Sequence, residues 1–162
     1  MVLEVGALAS HFALLGTDGR EYSLPRSLNG QPALLVFFKT TCATCDLTFP
    51  YVNRLRETYP DGWHLWAISQ DAPDKSIVYA RRLGVRYPVL LDAPDYTVSR
   101  LYDPPATPTF FLVDGSGRVA YSTHGFAKDD INQIARLIAG YVGADPQIIA
   151  PAGDGKPAFK PG

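Results

Sequence analysis

Apolar positions along the chain alternate between two periods. Ala33-Leu34-Leu35-Val36-Phe37-Phe38 is an unbroken apolar run after Gly30-Gln31-Pro32, as expected for a strand buried on both faces. Behind it the spacing becomes helical: Cys45, Phe49, Val52, Leu55 and Tyr59 recur three and four residues apart and form one stripe. Leu65-Trp66-Ala67-Ile68-Ser69 reads as another strand, and Asp71-Ala72-Pro73-Asp74 as a helix start with proline in its first turn. In that helix Ile77, Ala80 and Leu83 carry the expected buried face, and Gly84 is the stop. Pro88-Val89-Leu90-Leu91 predicts a further strand and Asp95 to Leu101 a short helix. Thr109 to Val113 and Arg118 to Ser122 flank Asp114-Gly115-Ser116-Gly117, a hairpin signature. Ile131, Ile134, Ile138 and Tyr141 mark a last helix whose apolar face covers the sheet, and Phe12 to Leu24 predicts a small hairpin capping it.

Alternating strands and helices of this kind predict an α/β domain over residues 1–143. Residues 144–162 differ: Pro146, Pro151, Pro157 and Pro161 interrupt the segment, and Gly153 and Gly155 loosen it. An irregular Pro/Gly-rich tail with no regular element is expected there. The 162 residues, 46% hydrophobic and 19% charged, suffice for a real core without staples. Fifteen basic and 16 acidic residues give a net charge of −1, which implies neither nucleic-acid binding nor a membrane-surface patch. The longest apolar run, Pro32 to Phe38, is too short to cross a bilayer. Met1 opens almost directly onto folded sequence, so a cytoplasmic protein is expected, although a trimmed periplasmic chain would look the same.

The candidate chemistry lies where the first apolar run meets the first helix. Cys42 and Cys45, the only two cysteines, form a CxxC, and the first turn of a helix holds two such sulfurs within bonding reach. Zinc would need further ligands, but His11, His64 and His124 are scattered without the spacing of a second pair. A purely structural bridge around so small a loop would remove little unfolded-state entropy. Reversible disulfide chemistry is therefore favoured, without a cofactor. At the helix start Cys42 faces unpaired N–H groups and the positive end of the helix dipole, which favour a thiolate and make it the expected nucleophile. Cys45 lies on the buried stripe and is the expected resolving thiol.

The order of motifs over Val5 to Val142 resembles the thioredoxin-like redoxins, and within them the TlpA/ResA-type thiol:disulfide oxidoreductases and their AhpC/TSA peroxiredoxin relatives. The resemblance rests on the hairpin Gly6 to Leu24, Cys42 to Cys45, Pro50, Ile68-Ser69-Gln70-Asp71, Tyr87 to Asp92, and Ala106-Thr107-Pro108-Thr109 leading into Phe110 to Asp114. It implies a thioredoxin-like fold, a central mixed β-sheet flanked by helices with an N-terminal β-hairpin. It also implies a cis Thr107–Pro108 bond facing the CxxC, with Thr107 offering its backbone to an extended substrate strand. Pro50 should kink the active-site helix rather than end it. Protein disulfides or dithiols are the implied substrates, exchanged with a separate redox partner by a monomer.

Several positions depart from the family pattern. Thr41 stands where relatives carry tryptophan before the first cysteine, which makes the site more polar. Thr48 stands where the TlpA/ResA type carries glutamate, so the carboxylate that assists proton transfer is absent. Ala43-Thr44 matches neither the Gly-Pro of reducing thioredoxins nor the Pro-His of strong oxidases, leaving both directions of electron flow open. Lys39 is a candidate for favouring a Cys42 thiolate by Coulombic attraction, which Asp46 would oppose. The rival reading is a peroxidase, but Lys39 and Leu35 occupy the places where the peroxiredoxin pattern needs a hydroxyl residue and a proline. Copper delivery through Cys42, Cys45 and His124 is a third reading, although that family has a longer spacer between its cysteines.

Overall fold

The computed structural model describes residues 1–162. Its elements run β1 (Phe12–Leu15), β2 (Glu21–Leu24), β3 (Ala33–Phe38), α1 (Ala43–Thr58), β4 (His64–Ser69), α2 (Pro73–Leu83), β5 (Val89–Leu91) and α3 (Thr97–Tyr102), followed by β6 (Thr109–Val113), β7 (Val119–His124), β8 (Phe126–Ala127), α4 (Lys128–Val142) and β9 (Phe159–Lys160). Five strands make a central sheet in the order β5-β4-β3-β6-β7. β3, β4 and β5 are mutually parallel, β6 runs against them, and β7, antiparallel to β6, runs with them again. β1 and β2 pair as a separate hairpin, joined to the sheet edge by the Gly16–Leu90 bridge. This is the expected mixed sheet with an N-terminal hairpin.

The unbroken apolar character of β3 follows from its central place. Successive side chains of a strand point to opposite faces, and here Leu34, Val36 and Phe38 enter one core while Ala33, Leu35 and Phe37 enter the other. The first core is closed by α1, α2 and α4, and the second by the N-terminal hairpin and α3. On α1 the stripe Cys45, Phe49, Val52 and Leu55 is wholly excluded from water. Phe49 meets Phe38 and Tyr79 edge-on, a favoured aromatic arrangement. The helix runs through Pro50 to Thr58. Pro50 is exposed, so the only backbone bond its ring removes, to the Asp46 carbonyl, lies on the solvent side.

The structure corrects three details of the sequence pattern. On α2 the fully buried residues are Ser76 and Tyr79, whereas Ile77, Ala80 and Leu83 are half-buried. The apolar count missed this face because a serine and a tyrosine carry it: Ser76 Oγ shares a hydrogen bond with Ser69 Oγ at 2.7 Å, and the Tyr79 ring stacks on Phe38. On α4, Tyr141 lies off the buried face, which Ala135 and Ala139 complete beside the three isoleucines. The third correction concerns the tail. Residues 159 and 160 form β9, antiparallel to β8, and the segment leading to it is pinned along α1 and α4.

The pinning uses buried polar groups. Asn132 Oδ1 accepts the N–H groups of Ile149 and Ala150, and its Nδ2 donates to the Ala150 carbonyl. Ile149 and Ala150 thereby enter the first core. The buried ammonium of Lys128 donates to the Pro151 and Lys156 carbonyls and to Asp154 at 2.6 Å. Proline denies the tail helical hydrogen bonds, and these side chains supply partners instead. A composition rule could not foresee this, because the anchors sit on α1 and α4, far along the sequence.

The ammonium of Lys128 above all, with the Tyr51 hydroxyl and the Lys156 N–H, holds the Asp154 carboxyl well below the usual carboxylate range. A depressed carboxyl stabilises the folded chain above its unfolded value, about pH 4, and that contribution is lost as pH falls through the folded value. Asp154→Asn should therefore melt lower than the parent at neutral pH. The gap in melting temperature, measured by calorimetry across pH, should close below about pH 4. A gap that stays constant down to low pH would refute the linkage.

Candidate active site

Cys42 is the N-cap of α1: its backbone is extended, and its sulfur accepts the N–H of Cys45 at 3.0 Å. That N–H is one of the donors a helix start leaves without an intrahelical partner, and it is aimed at the sulfur where charge would develop. Cys42 is half-buried and Cys45 fully buried, and both are free thiols. Burial first, then the neighbouring Cys42 sulfur, push the Cys45 thiol far above its ordinary range, with the Lys39 backbone and Thr107 as smaller opposing influences. The two sulfurs are thus unequal in access, and burial holds the inner one as a thiol.

The second wall comes from a distant part of the chain. In the antiparallel β3–β6 register Phe37 faces Thr109, so the residues just before β6 lie level with those just after β3. Cys42 Sγ donates to the Thr107 carbonyl at 3.3 Å, and the Thr107–Pro108 bond is cis, as the resemblance implied. Thr109 Oγ1 donates to the Ala106 carbonyl at 2.6 Å, closing the loop that presents Thr107. The Thr107 N–H donates to no group of the chain.

The flanking positions divide. Thr41 is exposed beside the sulfur. Thr48 is fully buried and donates its hydroxyl to the Thr44 carbonyl at 2.7 Å, one turn back in its own helix. Lys39 is exposed, and its ammonium joins no ion pair. The Asp46 carboxylate turns toward α2, accepting the Tyr79 hydroxyl at 2.8 Å and facing Arg82 at 3.4 Å. His124 lies exposed at the end of β7, and no three histidine, cysteine or carboxylate groups are arranged to share a metal ion.

Sequence reasoning missed Asp71 and the tail as parts of the site. Asp71 Oδ2 accepts both the N–H and the hydroxyl of Thr40, at 2.6 and 2.9 Å, fixing the loop that leads to Cys42. The signal was present in the topology. β3 and β4 are parallel with Phe38 opposite Ser69, so Thr40 and Asp71, each two residues further on, meet at the sheet's carboxyl edge. The tail reaches the same edge, where the hydroxyl of Thr44, between the two cysteines, donates to the Pro161 carbonyl at 2.7 Å.

A family model described as the AhpC/TSA family matches residues 5–122. The thiol-disulfide oxidoreductase ResA of Geobacillus thermodenitrificans (strain NG80-2) is 32% identical over 132 residues, 80% of this chain and 75% of that protein. A Chlorobium tepidum structure described as a thiol:disulfide interchange protein DsbE aligns with TM-score 0.78 at 27% identity, covering 87% of this chain and 99% of that one. A secreted Mycobacterium tuberculosis disulfide oxidoreductase homologous to E. coli DsbE aligns with TM-score 0.66 at 20% identity over 80% of this chain and 95% of that one. These matches overturn the expected cytoplasmic location: the relatives are of the ResA and DsbE type, and one neighbour is a secreted protein. Folded sequence close behind Met1 carries no information on compartment.

Asp71→Ala would leave the Thr40 N–H and hydroxyl without their acceptor, at a cost of about 1–3 kcal/mol. Urea unfolding should show that loss, and Thr40→Ala in the Asp71→Ala background should add much less than it does alone.

Proposed function

The chain belongs to the AhpC/TSA family and is a thiol:disulfide oxidoreductase of thioredoxin-like fold, and we propose that Cys42 is its attacking sulfur and Cys45 its resolving one. The observation that carries this reading is the inequality of the pair: an N-capped, half-buried Cys42 that receives a helix N–H, and a buried Cys45 held as a thiol. The Cys42 thiolate attacks one sulfur of a substrate disulfide, forming a mixed disulfide while the other substrate sulfur leaves as a thiolate. Cys45 then gives up its proton and attacks Cys42 Sγ, closing the protein disulfide and releasing the second substrate thiolate. Two electrons pass to the substrate, and the reverse sequence oxidises a dithiol.

Protein thiols and disulfides are the substrate class, as for the ResA-type relatives. Thr107, with its unpaired N–H and its carbonyl beside Cys42, would pair with the backbone of such a substrate, and Pro108 fixes its approach. Thr41 leaves the rim of the site open and polar, and Lys39 contributes a solvated positive charge at that rim. Thr48 cannot serve as a base for Cys45, since a hydroxyl bonded within its helix accepts no proton at neutral pH. Water or the departing substrate thiolate takes the Cys45 proton. The protein would work as a monomer with a separate redox partner.

Cys45→Ser should accumulate a stable mixed disulfide with a substrate protein, seen as an adduct on non-reducing gels and by mass. Cys42→Ser should accumulate almost none. Equal trapping by both variants would reverse or abolish the assignment.

Hydroperoxide turnover should be slow beside disulfide exchange. Leu35 is buried in the core, Lys39 is a solvated cation, and the hydroxyls of Thr40, Thr44 and Thr48 are already donated within the chain. Stopped-flow mixing of reduced protein with hydrogen peroxide measures this, and rapid saturable oxidation would favour the peroxidase instead.

A further inference from the structure

We propose that residues 159–162 form a displaceable strap over the Cys42–Thr107 groove that discriminates by substrate size: small disulfides reach Cys42 past it, whereas a polypeptide disulfide must first dislodge it. The inference rests on the exchange chemistry above and adds a determinant of its substrate class.

The strap is placed by contacts with both walls of the site. Phe159 and Lys160 pair with β8, and the Pro161 carbonyl accepts the hydroxyl of Thr44 between the cysteines. Gly162 lies against the loop carrying Thr107: a methyl group added to its α-carbon would meet Ala106 Cβ and Thr107 O at 2.8 Å each. The same Thr107 carbonyl is 3.3 Å from Cys42 Sγ. On the strap's other side Gly125, held at φ +72° with its N–H on the Pro108 carbonyl, leaves room for the backbone at Gly162 N and Lys160 O. A β-carbon there would lie 3.0 and 3.1 Å from those atoms.

An extended polypeptide that brings a disulfide to Cys42 needs the backbone edge of Thr107, because adding a strand to free N–H and C=O groups is how a chain docks on such an edge. Residues 161 and 162 already lie beside that edge. A small disulfide needs no backbone pairing and approaches only the sulfur. The strap is also weakly held compared with the segment before it. Phe159 is 63% exposed and Pro161 and Gly162 are exposed, whereas Ile149 and Ala150 are buried and Asp154 is tied to Lys128. Residues 159–162 can therefore swing out while the anchored part stays in place.

The test compares second-order rate constants of the reduced protein toward insulin and toward bis(2-hydroxyethyl) disulfide. Two variants loosen the strap independently: Thr44→Val deletes the hydrogen bond to Pro161, and Gly162→Val places a side chain where Thr107 O and Ala106 already stand. Each should raise the insulin-to-small-disulfide rate ratio by about tenfold, the scale of one hydrogen bond lost from the closed form. Using the ratio cancels any general change in thiol reactivity. Calorimetry confirms that each variant is folded, and where only one folds, that one decides. A ratio unchanged or lowered in a folded variant overturns the strap. If the unmodified protein exchanges with neither disulfide, the oxidoreductase mechanism itself fails, a result distinct from normal exchange with an unchanged ratio.

Discussion

The apolar stripe of α1 places the helix start against the carboxyl edge of the sheet. Cys45, Phe49, Val52 and Leu55 are wholly buried, and burying side chains of this size contributes about 1.5–3 kcal/mol each, far more than differences in intrinsic helix propensity. Because Cys45 is itself part of the stripe, the packing that holds the helix also denies that sulfur water. Cys42, one turn earlier, is left at the boundary with a backbone N–H aimed at its sulfur. The asymmetry required for ordered disulfide exchange is a by-product of how the helix is fastened.

The rest of the site is assembled by strand register around that fixed point. Parallel pairing of β3 with β4 carries Asp71 to Thr40, and antiparallel pairing of β3 with β6 carries Thr107 to Cys42. Both contacts join segments far apart in sequence, and a one-residue slip in either register would move a contact residue to the opposite face. The full apolar commitment of β3 to two cores makes such a slip costly, so the stability of the sheet and the geometry of the site are maintained together.

The tail shows how polar groups can order a segment whose composition argues against order. Lys128 and Asn132, both on α4, gather the carbonyl and amide groups of residues 149–156, which would otherwise need water in a partly covered position. Their satisfaction brings the following residues back to the active-site edge. The redox site and the chain segment beside it are thus connected through α4 as well as through α1, whose Tyr51 and Thr44 also hold the tail.

Much was legible in the linear pattern. The continuous run of β3, the stripe of α1, the β6–β7 hairpin and the CxxC at a strand-to-helix junction all depend on neighbours within a few turns, where periodicity reports burial directly. The motif block around Thr107-Pro108 likewise pointed to the segment that the fold brings beside Cys42. The buried face of α2 was not legible, because Ser76 and Tyr79 pair with Ser69, Phe38 and Asp46, which only folding brings near. Nor was the role of Asp71 or the course of residues 144–162. Those depend on register and on partners contributed by other elements, and a hydrogen bond between distant residues leaves no period in the sequence for a local pattern to reveal.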